Sequence, residues 1–260
     1  MSTVHPPKAL LTDVFGTVVD WRGTVVKYLI VSAQKALDAP LSSTPGATRE
    51  AATQVSWPDF AQRWRASYYH FTRSYDSDKG PFKSVDQHHL DALIELVQDC
   101  KIQSLWTDDQ LKEISMIWHA LDPWPDSSRG LRILNDKFIT ATLSNGNTAL
   151  LSDLAKHGSL KYTHLLGAED FKAYKPHPSV YLGAAERLGL EPSQCALVAA
   201  HLSDLAAARK CGYQTIYIDR QGEEEWEHIK AARQWVDMWI DIDQGGFEEV
   251  ARRFGLEDSS

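Results

Sequence analysis

The chain has 260 residues, of which 43% are hydrophobic and 24% charged, with a formal net charge of −8. This is the composition of a globular protein large enough for one big domain or two modest ones, and no apolar run approaches the roughly 18 residues of a membrane span. An acidic balance without any Lys/Arg cluster argues against nucleic acid as a partner, so an anionic substrate would need a local cationic pocket.

In chain order, residues 1–8 are polar and proline-bearing, and the apolar stretch behind them is interrupted at Asp13. That predicts neither a signal nor a transit peptide, and hence a cytoplasmic protein without a membrane partner. Residues 9–15 form a short apolar run suited to a buried parallel strand. Residues 21–121 carry almost no strand signal. Helical patterns cover 59–69, 85–98 and 107–120, with Thr107 as an N-cap. Between them, residues 38–53 are rich in Ser, Thr, Pro, Gly and Ala and read as a loop. Residues 122–129, with Pro123 and Pro125, read as a linker, because neighbouring prolines resist helix.

Three further strand-like runs, 138–143, 196–200 and 215–218, alternate with helical patterns over 148–157, 178–188 and 202–210. The prediction is an α/β protein with a doubly wound, mostly parallel sheet built from 1–20 and 122–260, and a helical domain of 21–121 inserted after the first strand. Cys100, Cys195 and Cys211 are scattered and odd in number, which suits reduced thiols rather than a disulfide framework or zinc site. The nine tryptophans are read as core and interface residues.

In an open parallel sheet, ligands bind beyond the carboxyl ends of the strands. Those places hold Asp13 in Leu10-Leu11-Thr12-Asp13-Val14-Phe15-Gly16-Thr17, then Ser144-Asn145-Gly146-Asn147, Lys175 in Tyr174-Lys175-Pro176, and His201-Leu202-Ser203-Asp204. The set and its order resemble the haloacid dehalogenase superfamily over nearly the whole chain. The resemblance implies a Rossmann-like core with a helical cap domain, Asp13 as nucleophile, and Thr17 orienting a carboxylate oxygen through its hydroxyl. Phosphatases of that superfamily carry a second aspartate two residues after the nucleophile, to protonate an alkoxide leaving group. Here the residue is Phe15, and a departing halide needs no proton. The terminal motif lacks the extra carboxylates of magnesium-dependent members, so Asp204 is expected to pair with Lys175, and neither a metal nor another cofactor is expected.

Asp13 to Trp21 looks like the opening of the (S)-2-haloacid dehalogenases. That resemblance implies Arg65, beside Trp64, as a halide-binding cap residue; Ser144 and Asn145 as a substrate pair; backbone N–H groups near Val14 and Phe15 on the substrate; and Lys175 with Tyr181. Arg65 also reads as a surface helix arginine near Arg63, and Tyr181 as a purely structural residue. The chain departs from the pattern at the terminal motif, where Ala199, Ala200 and His201 stand in place of Ser-Ser-Asn. His201 either polarises the hydrolytic water or makes a structural hydrogen bond. The implied reaction is hydrolytic dehalogenation of short-chain 2-haloalkanoic acids to 2-hydroxy acids through an aspartyl ester at Asp13, inverting C2. The partners are then a small anionic 2-halo acid and the released halide. The resemblance also implies a homodimer, with Tyr68, Tyr69 and Trp118 serving its surface or the core. A magnesium-dependent phosphatase and a catalytically silent binding protein are the alternatives.

Overall fold

The computed structural model describes residues 6–40, 44–75, 81–227 and 229–256. The chain divides into two compact units, Met1–Asp20 with Asp122–Ser260, and Trp21–Leu121.

The first unit is α/β. Its sheet contains β1 (Ala9–Thr12), β2 (Ile139–Thr142), β3 (Cys195–Ala199), β4 (Gln214–Ile218) and β5 (Met238–Ile240), in the order β2-β1-β3-β4-β5. All four neighbouring pairs are parallel. Every residue of β1 and β3 is buried, as expected for strands covered on both faces. Thr12 lies opposite Thr142 on one side and Val198 on the other, so the central strands end level. β1 is shorter than the apolar run: it stops at Thr12, and Asp13 is the first residue beyond the sheet, with its N–H on Val198 O at 3.0 Å. β5 has no counterpart in the sequence reading, since three residues are too few to show a period. Among the described residues, no helix is long and apolar enough to cross a membrane.

The second unit is helical, with α1 (Trp21–Asp38), α2 (Gly46–Thr53), α3 (Trp57–Ser74), α4 (Val85–Asp99) and α5 (Asp108–Ser115) followed by a 3-10 turn (Met116–His119). Thr107 caps α5 in a reciprocal box with Gln110. Residues 38–53 are not simply a loop. Asp38 ends α1, and Gly46–Thr53 is α2; residues 41–43 lie outside the described residues. Ala47, Ala51 and Ala52 with Arg49 and Glu50 are strong helix formers, and they outweigh the Thr and Gly that suggested a loop. Trp21, Trp64 and Trp118 are fully buried, with Trp118 stacked on His89 at 4.4 Å and edge-on to Trp64 at 5.4 Å. Tyr68 and Trp118 therefore belong to the core, not to an exposed face, while Tyr69 is half-buried.

In the α/β unit, the helices are α6 (Ser127–Asn135), α7 (Thr148–His157), α8 (Ala168–Phe171), α9 (Pro178–Arg187), α10 (Leu202–Lys210), α11 (Ile229–Ala232) and α12 (Gly246–Arg253). α6 begins at Ser127, so the non-helical link is shorter than 122–129. Asp126, just before α6, takes a two-pronged ion pair from the buried Arg220, at 2.7 and 2.8 Å, and accepts from Phe247 N at 2.7 Å. Arg220 Nε also donates to Thr17 O at 3.1 Å, which anchors the turn after β1. Removing one member of a buried pair leaves an uncompensated charge. Asp126→Ala is therefore expected to destabilise the protein by about 3–5 kcal/mol in urea denaturation; a loss under about 1 kcal/mol would show that the pair is not structural.

Candidate active site

The chain leaves β1 through a tight turn. Val18 N and Val19 N both return to Val14 O, Gly16 N bonds Val19 O at 3.0 Å, and Gly16 adopts φ +82°. That φ lies in the region which glycine enters without a steric penalty. The turn folds Thr17 back on Asp13, and its hydroxyl donates to Asp13 Oδ2 at 2.8 Å. The same oxygen of Thr17 accepts from Ala200 N at 2.9 Å, so one side chain joins the ends of β1 and β3.

Lys175 meets the other oxygen of Asp13. Its Nζ donates to Asp13 Oδ1 at 2.9 Å and to Asp204 Oδ2 at 2.5 Å, and all three residues are buried. Asp204 stands in the first turn of α10, and its second oxygen accepts from the Tyr181 hydroxyl at 2.7 Å. Asn145 clamps the loop that carries Lys175: its Oδ1 accepts from Lys175 N at 2.7 Å, and its Nδ2 donates to Lys175 O at 3.4 Å. Ser144 is fully buried, and its hydroxyl oxygen accepts from Gly146 N at 3.1 Å.

Burial alone would push the Asp13 carboxyl up, but the Lys175 charge and the His201 hydrogen bond outweigh it and hold the group well below its ordinary 3.8. Burial likewise pulls Lys175 down, and the charges of Asp13 and Asp204 more than reverse it, leaving the ammonium above its ordinary 10.5. The result is a carboxylate and an ammonium that both stay ionised near neutrality. An ionised carboxylate has lone pairs to offer an electrophile and no proton to give as a general acid.

His201 lies between two carboxylates. Its Nδ1 is 3.1 Å from Asp13 Oδ2, and its Nε2 is 3.4 Å from Glu223 Oε2. Asp13, Thr17, Lys175, His201 and Asp204 are thus brought together as the sequence order suggested. Tyr181 is fully buried, and its hydroxyl donates to Asp204, the carboxylate that holds Lys175. Phe15 is also fully buried. Arg65 belongs to α3 of the helical unit and is not the surface arginine that helical spacing allows. It is 3% exposed, its guanidinium lies 4.5 and 4.6 Å from the rings of Tyr68 and Tyr69, and Nη2 donates to Tyr69 Oη at 3.2 Å. Arg63 is the exposed one, paired with Asp99 at 2.8 Å.

Three residues were missed in the sequence. Glu223 and Arg220 both follow β4, beyond a strand-like run whose end carries no recognisable motif. Tyr162, whose hydroxyl is 2.7 Å from Thr12 Oγ1, had no signal at all, because it comes from an irregular segment.

A family model described as haloacid dehalogenase-like hydrolase matches residues 7–212. An (S)-2-haloacid dehalogenase of Pseudomonas sp. (strain CBS-3) is 27% identical, over 84% of this chain and 86% of the relative. Among solved structures, an L-2-haloacid dehalogenase is 31% identical with a TM-score of 0.78, covering 96% of this chain and 99% of that one. A defluorinating L-2-haloacid dehalogenase is 32% identical with a TM-score of 0.79, covering 95% and 94%. Likeness at that identity along almost the full length of both chains, on top of the family model, goes beyond a shared sheet topology: the chain belongs to the haloacid dehalogenase-like hydrolase family.

Proposed function

We propose that the protein hydrolyses the carbon–halogen bond of short 2-haloalkanoic acids, giving a 2-hydroxy acid and halide. The observation that carries this reading is the buried Lys175 ammonium 2.9 Å from Asp13 Oδ1, with Phe15 where a phosphatase would need a second carboxylate. The full-length similarity to proteins named as L-2-haloacid dehalogenases supports it.

In this proposal the substrate carboxylate is received by the Ser144 hydroxyl and by backbone N–H groups near Val14 and Phe15, which sets C2 before Asp13. The Asp13 carboxylate attacks C2 in line, the carbon–halogen bond breaks, and C2 inverts as an aspartyl ester forms. An amide nitrogen carries two hydrogens. One hydrogen of Asn145 Nδ2 meets Lys175 O, and the other is assigned to the departing halide. Water then attacks the ester carbonyl, with His201 taking its proton. Asp204 and Tyr181 act behind Lys175.

A magnesium ion fits this donor set poorly. Both oxygens of Asp13 and both of Asp204 already meet nitrogen or hydroxyl donors, and among the described residues no three His, Cys, Asp or Glu side chains converge as a metal shell. Excess EDTA is accordingly expected to leave halide release unchanged, and a loss reversed by magnesium would favour phosphoryl chemistry.

Halide release from L-2-chloropropionate and chloroacetate is the direct assay, with phosphate esters expected to be inert. Asp13→Asn should lower turnover by more than about 10⁴-fold without unfolding the chain. Single turnover in ¹⁸O-water should place label in Asp13, whereas label found only in the product would mean that water attacks C2 directly.

The electrostatics set a pH dependence. The folded value of Asp13 is lowered, so its stabilising contribution is present above the ordinary 3.8 and lost only as pH falls through the depressed value. That of Lys175 is raised, so its contribution is present below the ordinary 10.5 and lost as pH rises through the raised value. The burst of halide release that reports ester formation should therefore be flat from about pH 5 to about pH 9. The measurement is made in a His201→Asn variant, so that the imidazole on Asp13 does not titrate. An inflection inside that window would mean that Asp13 is not held ionised.

A further inference from the structure

We infer that Glu223 is the positioning residue for His201, fixing which ring nitrogen holds the proton so that the other can accept one from water. The inference rests on the proposed role of His201 in ester hydrolysis.

The imidazole presents both nitrogens to carboxylates: Nδ1 lies 3.1 Å from Asp13 Oδ2, and Nε2 lies 3.4 Å from Glu223 Oε2. Which nitrogen carries the proton is set by the partner of the other. A carboxylate is an acceptor only, so Glu223 draws a proton to Nε2, and while Asp13 is an anion it draws one to Nδ1 through the 3.1 Å hydrogen bond. In that state Nδ1 is a donor and not a base. Once Asp13 is an ester, its charge is gone, Nδ1 can release its proton to solvent, and with Glu223 still holding the one on Nε2 the freed lone pair faces the carbonyl that water must attack.

The step then balances. As the water oxygen bonds to the Asp13 carbonyl carbon, one of its protons passes to Nδ1. Collapse breaks the bond between that carbon and the oxygen of the hydroxy acid, which recovers the proton from Nδ1. The remaining water proton returns to Nδ1 in place of the one released, and the Asp13 carboxylate is restored beside Lys175 and His201. The Glu223 carboxylate stabilises the imidazolium that forms, the role of the third group in nucleophile–base–orienter arrangements.

Two further features show a built position. Glu223 is only 6% exposed, although it sits in a turn, and its N–H returns to the carbonyl of the anchored Arg220 at 3.3 Å. Gly16, in the turn of the nucleophile, vacates the space: a Cβ there would lie 2.0 Å from Glu223 Oε2. A side chain at position 16 would therefore displace the Glu223 carboxylate from its place beside His201, which ties this glycine to Glu223 as well as to its own φ.

The test separates ester formation from ester hydrolysis, using chloroacetate as the probe, rapid quenching and intact-protein mass. Glu223→Gln should form the ester at the parental rate and hydrolyse it at least about 10²-fold more slowly, so that the esterified protein accumulates. Glu223→Asp should recover part of that loss. Because it keeps the charge, it also serves if the glutamine variant melts early. In a His201→Ala background, Glu223→Gln should add no further loss. If His201→Ala is slow while Glu223→Gln hydrolyses normally, or if the two losses multiply, Glu223 does not act through His201 and the inference falls. If neither variant slows hydrolysis, the water-activating role of His201 falls and takes the inference with it. If the parental protein forms no ester, the proposed function itself is overturned.

Discussion

A single ammonium group between two carboxylates, Lys175 between Asp13 and Asp204, is the constraint on which the rest of the site depends. Moving any of the three ions out of water costs several kcal/mol, and their mutual attraction offsets this only if the geometry is fixed and the remaining lone pairs are satisfied. The fold supplies both conditions. Asn145 brackets the peptide of Lys175, Tyr181 satisfies Asp204, and the Tyr213 hydroxyl bonds Tyr181 O at 2.7 Å. These supports run from the sheet surface into the hydrophobic core that contains Tyr181, Tyr213 and Val180. The packing of α9 thus bears on the ionisation of a residue at the tip of β1.

The parallel sheet makes this economical in chain length. Because β2, β1 and β3 end level, the residues after each strand arrive at one edge without long loops: Asp13 after β1, Ser144 and Asn145 after β2, His201 after β3. Thr17 then locks two of those loops with one hydroxyl, donating to Asp13 and accepting from Ala200 N. A hydroxyl carries one hydrogen, so the acceptance from Ala200 and the donation to Asp13 fix each other's direction.

Much of this was legible in the sequence because parallel strands are buried on both faces and read as short apolar runs, and because chemistry collects where they end. Asp13, His201 and Asp204 were legible by that rule; Thr17 came from the family resemblance, and the helices 148–157 and 202–210 from their periodicity, while Lys175, read as a strand-end residue, follows α8 instead. The end of β4 carries no recognisable motif, and Glu223 was missed. Tyr181 was left between a catalytic and a structural role, because spacing places a residue on an element but does not aim its hydroxyl. α2 was hidden by a composition of Thr, Gly and Ala, in which helix-forming alanines had to outweigh residues typical of loops. The burial of Arg65 among Trp21, Tyr68 and Tyr69 needed tertiary packing, since helical periodicity places it next to the exposed Arg63.

The Arg220–Asp126 pair also bears on the order of folding. Arg220 reaches back 203 residues to Thr17 O and 94 residues to Asp126, and Asp126 reaches forward 121 residues to Phe247 N. Loops of such length must close before any of these bonds forms, and that entropy is spent ahead of the contacts that offset it. A chain emerging from the ribosome therefore makes β1 and the turn after it first, yet gains the Arg220 anchor on that turn only once the residues beyond β4 have been made. A chain that stops short of Arg220 carries the turn without that anchor.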